Sequence, residues 1–442
     1  MAVFSRKKAA VAGIAVTAVA ASLMLSGCAT SDSSNPNFAD CKEVTDITWL
    51  GTIKVEIQDQ FTNAIDTYNA TNTDCTTVTI VESPDQPFLQ TVTTMYEAGE
   101  APTIMTALQE LPDMADKVMD WTGQPLAELA APGTLDVANI DGKQVGIPVT
   151  AEAFGLLYNK AVLDAAGVDP AAIKTRSDLA NAFAAVEATG VSPMHFSGLW
   201  WSLGAHLTNV YHANAAETAE GQLAVLDELT AGGKSLMDDP AFINWLDTFD
   251  LLKANTIDTA TIADSDYDVA VENLATGQTA FWFMGNWAEP NLLTTTPDGE
   301  FGIMPLPIND NAGSAANENI SVGVPFYIMI DTEQSTEAQQ KSAIAVLTWF
   351  LTTPEGQAFW AGPVEKDGMN FIPVYEGFEV EPATYMAQEI AKYIAAGKTL
   401  QWVNSAYPAG LQDAYGAAAQ KYYDGQIDRA AFAAELEAAW KK

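Results

Sequence analysis

The chain has 442 residues, of which 48% are hydrophobic, and carries a formal net charge of −37 at pH 7. That length is more than one ordinary domain needs. The acidity argues against nucleic acid and anionic membrane surfaces as partners, and it disfavours a polyanionic ligand.

Residues 1–27 read as an export signal. Arg6, Lys7 and Lys8 precede a 17-residue apolar run, Ala9 to Leu25, and then Leu25-Ser26-Gly27-Cys28. The run is too short and too interrupted (Gly13, Ser22) for a comfortable membrane span. Cys28 at the new N-terminus reads as a lipoprotein box, its thiol taking a diacylglycerol and its acyl chains anchoring the protein outside the cell. Cleavage removes three cations and no acids, leaving −40. The polar stretch Ser31 to Asn37 reads as part of a flexible tether over 28–40.

Two further cysteines, Cys41 and Cys75, each precede a β-type run: Ile47 to Leu50 and Val78 to Val81. Between them Val55, Ile57, Phe61, Ala64, Ile65 and Tyr68 fall at helical spacing, which makes a β-α-β unit. Adjacent parallel strands begin at one sheet edge, so a Cys41–Cys75 disulfide is expected in an oxidising compartment, worth about 3–4 kcal/mol. The alternative is two free buried thiols. A helix over Phe88 to Gly99 ends at a glycine stop, and a short strand starts near Ala101. Gln109 and Glu110 lie just beyond that strand's carboxyl end, where open parallel sheets bind ligands.

Asp141 to Lys160, DGKQVGIPVTAEAFGLLYNK, combines an Asp-Gly turn, a short extended run, Pro148 as a ladder break and a second apolar run. Asp141-Gly142-Lys143, Pro148 and Tyr158-Asn159-Lys160 together resemble the lobe-crossing segment of the bacterial family 1 extracellular solute-binding proteins. These are the maltose-binding-protein-like sugar-binding lipoproteins of ABC importers. Gly285-Asn286-Trp287 after the strand Thr279 to Phe283 is a second resemblance, as are Met304-Pro305-Leu306-Pro307, Ser321 to Pro325 and Phe350-Leu351-Thr352-Thr353-Pro354-Glu355. Thr103 stands where the family usually has aspartate.

The resemblance implies a ligand-stacking role for Trp287 and a hydroxyl-binding role for Glu152. It makes Trp402 and Tyr407, in a loop before the last helices, candidate contacts. Phe196, Trp200 and Trp201 cluster beside His195; they read either as an aromatic wall for a sugar ring or as a core helix start. Each aromatic also has a packing reading, since most of the eleven tryptophans will be core.

His195, His206 and His212 do not share a helical face by i, i+4, and no zinc, calcium, nucleotide or nucleophile-elbow pattern occurs. No metal, cofactor or catalytic residue is expected.

The fold expected is α/β, a two-lobed periplasmic-binding-protein type II architecture, each lobe a doubly wound sheet flanked by helices, with the ligand cleft between lobes. The expected N-terminal lobe is 41–151 with 325–375, and the C-terminal lobe 152–324 with 376–442. The expected function is capture of a neutral di- or oligosaccharide and delivery to ABC permease subunits by a lipid-anchored, monomeric, non-enzymatic protein. The alternatives are a surface-anchored glycoside hydrolase, which needs two facing carboxylates, or a binding protein for a polyol or amino-sugar.

Overall fold

The computed structural model describes residues 35–51, 53–82, 88–257, 265–378, 384–408 and 410–441. The signal segment 1–27, Cys28 and tether residues 29–34 lie outside them. No helix among the described residues is long and apolar enough to cross a membrane.

Thirteen strands are described: β1 (Thr45–Leu50), β2 (Thr76–Val81), β3 (Ile104–Ala107), β4 (Asn139–Ile140), β5 (Lys143–Gln144), β6 (Ile147–Pro148), β7 (Glu152–Asn159), β8 (Ser192–His195), β9 (Thr279–Gly285), β10 (Phe301–Met304), β11 (Ile320–Gly323), β12 (Tyr327–Ile330) and β13 (Thr399–Leu400). One sheet has the order β2-β1-β3-β12-β6. The other runs β13-β11-β7-β9-β8, with β10 also paired to β7. Helices flank both sheets.

The parallel sheets expected from alternating elements are in fact mixed. β1, β2 and β3 are parallel, but β12 is antiparallel to both β3 and β6, and β7 is antiparallel to β9, β10 and β11. Strands that return from the other lobe enter from the opposite end, and this reverses them.

The first sheet is buried on both faces, as the period-2 pattern shows. Ile47, Trp49, Ile104, Ile328 and Ile330 face one core with the helices Gln58–Thr71 and Glu337–Thr352. Leu50, Met105, Tyr327 and Met329 face a second core under the helix Phe88–Ala98. The second lobe has one larger core around Leu156, Phe281 and Trp282.

Parallel pairing from Thr45↔Thr76 places the residues before both strands side by side. Cys41 and Cys75 are bonded there, with Cα atoms 5.9 Å apart. The end of the expected tether differs from its reading. Pro36–Asp40 forms a 3₁₀ turn, Phe38 is buried, and Asn35 Nδ2 donates to the carbonyls of Asn69 and Asn72 at 3.0 and 2.9 Å. The asparagine side chains supply bonds that a composition argument overlooks. Asp141 and Gly142 both adopt positive φ (52° and 87°) and close the β4–β5 hairpin in two residues. The connection after β10 ends in a short helix, Ala315–Glu318.

Three connecting segments lie together where the chain passes between sheets. Val149 N–H donates to Phe326 O (3.0 Å), Ala151 N–H to Ile372 O (2.9 Å), and Ile372 N–H to Thr150 Oγ1 (2.9 Å). Trp360 Nε1 donates to Val149 O at 3.1 Å. Residues 149–151, 324–326 and 370–375 thus form one bonded bundle beside the cleft.

Candidate functional site

Strand direction places the site. The carboxyl ends of β1 and β3 in one sheet, and of β9 and β13 in the other, point at a common cleft, as open α/β sheets favour. The cleft has a volume of about 520 Å³. From the first lobe come Ile53, Lys54 and Glu56 after β1, Leu108 to Glu110 after β3, Phe88, and Pro325-Phe326 before β12. From the second come Glu152 at the start of β7, Trp201, Ala205 and His206, Trp287 after β9, and Trp402, Asn404 and Gln412.

Two glycines let the tryptophans lie flat against strands. A Cβ at Gly285 would overlap the Trp287 ring, and one at Gly323 would overlap Trp402. Both rings are nearly buried, at 9% exposure each. Trp201 reaches the same wall because Ser202–Leu207 is wound as a π-helix. A π-turn carries residue i+5 round to i, so Trp201 and His206 meet with ring centres 5.5 Å apart. His206 lies 4.9 Å from Trp287, 5.9 Å from Trp402 and stacks on Phe154 at 4.6 Å. Burial pushes its imidazole down to about 3, helped by the Lys54 charge, so it is neutral.

Lys54 and Glu152 form an ion pair across the cleft, with side chains only 10% and 5% exposed. The ammonium also sits 5.3 Å from the centre of the Trp287 ring and 5.8 Å from that of Phe326. Burial pulls the Lys54 ammonium down to about 7, while the Glu56 charge acts in the opposite direction. Glu56, Glu110 and Glu152 against Lys54 leave the lining acidic.

Of the residues singled out from sequence, Trp287, Glu152, Gln109, Glu110, Trp201 and Trp402 line the cleft. Three do not. Phe196 is core, 5.1 Å from Phe249 and 5.5 Å from Tyr423. Trp200 is 41% exposed off the cleft, its backbone crowding Gly416. Tyr407 is buried and bonds His212 Nδ1 and Thr208 Oγ1. Helix rotation decides which of several adjacent rings faces the cleft.

Lys54, Glu56, His206, Asn404 and Gln412 were missed. The strand-end rule that picked out Gln109 applies equally to Lys54 after β1. Nothing in the sequence signals a π-turn that would turn His206 inward. The other histidines are structural: His195 is bonded to Ser265 Oγ (2.7 Å) and Asn273 Nδ2 (2.9 Å), and His212 to Tyr407. No group of His, Cys, Asp and Glu suited to a metal occurs among the described residues.

The model of the bacterial extracellular solute-binding protein family matches residues 54–358. Among solved structures, the solute-binding protein RafE in complex with raffinose is similar with a TM-score of 0.74 and 17% identity, over 90% of this chain and 99% of that one. The apo form of RafE from Streptococcus pneumoniae gives 0.72 and 16%, over 90% and 98%. A Bacillus licheniformis sugar transporter in complex with stachyose gives 0.67 and 14%, over 89% and 98%. No curated protein matches.

Proposed function

Because this chain belongs to the bacterial extracellular solute-binding proteins, we propose that it captures a neutral di- or oligosaccharide in the cleft and delivers it to the permease of an ABC importer. The observation that carries this reading is the convergence of three tryptophan rings with carboxylates from both lobes on one 520 Å³ cleft. Flat C–H faces of sugar rings suit aromatic faces, and rim hydroxyls suit carboxylates and amides.

Trp287 stacks on a ring, with Trp201 and Trp402 extending the aromatic wall. Glu152 accepts hydroxyl hydrogen bonds from the second lobe, and Gln109 and Glu110 act from the first. The lobes comprise 41–151 with 325–375 and 152–324 with 376–442, closing about the bonded connecting segments in a hinge motion. The sugar leaves intact, so the protein is not an enzyme. Cys28 carries the lipid that holds a monomer at the outer face of the membrane. The similar structures in complex with raffinose and stachyose support the choice of a neutral oligosaccharide.

A thermal-shift screen of the chain lacking residues 1–28 against mono-, di- and oligosaccharides tests this. A ligand at ~100 times its Kd raises stability by about 2.7 kcal/mol. Silence across the panel would overturn the saccharide reading, and release of reducing ends with time would replace it with hydrolysis.

A further inference from the structure

Three residues on the second lobe's wall of the cleft each hold a buried side-chain atom that has no hydrogen-bond partner among the described residues: His206 Nδ1, Trp402 Nε1 and Asn404 Oδ1. Trp402 and Asn404 are 9% and 6% exposed. The other unbonded buried atoms, on Trp49, Thr91, Trp121, His212, Gln222 and Thr279, belong to residues that do not line the cleft. Leaving a buried polar atom unbonded costs free energy, and native proteins keep few such atoms. A cluster on one cleft wall therefore points to a bound partner.

We propose that His206, Trp402 and Asn404 form a hydrogen-bonding subsite for the hydroxyls of a single neutral sugar ring, and so select which saccharide the cleft accepts. This rests on the saccharide reading and names the residues that give it specificity. The chemistry narrows the ligand. Trp402 Nε1 only donates, Asn404 Oδ1 only accepts, and a neutral imidazole nitrogen does either according to its tautomer. A hydroxyl donates and accepts, so adjacent sugar hydroxyls answer all three. An ammonium answers Asn404 but leaves the Trp402 N–H unbonded. A carboxylate answers Trp402 but has no proton for Asn404, and a carboxylate or phosphate meets the charges of Glu56 and Glu110 on the same cleft. The ring centres of His206 and Trp402 are 5.9 Å apart, within the reach of one hexose.

The test is calorimetric titration of the chain lacking residues 1–28 with raffinose, stachyose and maltotriose, with Tm measured alongside. His206→Phe keeps a flat ring and Asn404→Leu a branched side chain, and each removes the unbonded atom. Each is expected to lower affinity for the preferred sugar about tenfold while leaving the ligand-free Tm unchanged or higher. His206→Asn, which keeps a polar atom near Nδ1, is expected to recover most of that loss. A monodeoxy analogue that binds the wild type weakly is expected to bind one variant as well as the parent sugar does.

If the wild type binds one of these sugars and both apolar variants bind it unchanged, the subsite is overturned while the saccharide reading stands. A lower ligand-free Tm with unchanged affinity would give these residues a structural role only. If the wild type binds none of the three, nor any other sugar of the thermal-shift panel, the saccharide reading falls and takes this proposal with it.

Discussion

At the residue scale the cleft is a place where polar groups are tuned by burial. Trp287 offers a flat face, and Lys54 lies over it. Stacking between aromatic rings is worth about 0.5–1.5 kcal/mol beyond area burial, and a sugar face on Trp287 is taken on that scale, with the area itself adding more. Trp287→Ala is expected to weaken sugar binding by one to two orders of magnitude with the fold retained, as read by calorimetry and circular dichroism; an unchanged Kd would remove Trp287 from the site. Gly285→Ala tests the same ring from behind. The added methyl would overlap the indole, so the ring has to tilt, and sugar affinity is expected to fall while Trp287 fluorescence shifts. Glu152, Gln109 and Glu110 were legible because they follow strand ends or a proline break. Phe196, Trp200 and Tyr407 were not separable from Trp201 and Trp402, because neighbouring rings on a helix or loop look alike until the backbone rotation is known.

At the element scale, the helix Glu289–Thr295 is tied to two distant segments through one carboxylate. Glu289 Oε2 accepts from Asn370 Nδ2 and from Thr384 Oγ1, each at 2.9 Å. Burial pushes its pKa up to about 7; the bonds from Thr384, Asn370 and the Met386 backbone oppose this, and the Glu365 charge adds to it. A raised folded pKa means that the folded state holds a proton the unfolded chain has lost between about 4.5 and 7. Its contribution therefore falls as pH rises through that window and stays low above it. Glu289→Gln keeps an acceptor and removes the charge. It is expected to match the wild type below pH 4.5 and to exceed it by roughly 1–3 kcal/mol at pH 8, measured as denaturation midpoints across pH. Equal stability at pH 8 would remove this carboxyl as a source of pH dependence.

The β1–β2 pair is stapled at its start by Cys41–Cys75. Replacing both with serine is expected to cost about 3–4 kcal/mol, read by urea titration. The wild type under reducing conditions is expected to show the same loss. The helix around Gly204 was less legible. Gly204 and Gly416 let two helices approach so closely that a Cβ on either would strike the other's backbone.

At the scale of the whole molecule, 57 acidic residues face 20 lysines and arginines. Self-repulsion on that scale opposes the compact state, and salt screens it. Raising sodium chloride from low ionic strength to ~0.5 M, where the screening length is only a few ångströms, is expected to raise Tm. A fall would show that surface ion pairs such as Lys117–Glu333 outweigh the excess negative charge.

Hydrophobic period, glycine stops and the paired cysteines were enough to place most elements. The helix Leu411–Tyr423 and the strands β1, β2 and β9 follow local patterns. The antiparallel reversals of β7 and β12 were not legible, because strand direction depends on where the chain re-enters a sheet. The amino-acid sequence alone determined the element periods, the family pattern around Asp141 to Lys160, and the spacing that permits one disulfide, since each is encoded in short-range residue order. Only the tertiary structure decided which tryptophans share a wall with His206 and which carboxylate meets Lys54, because those contacts join segments far apart in the chain whose approach is set by packing.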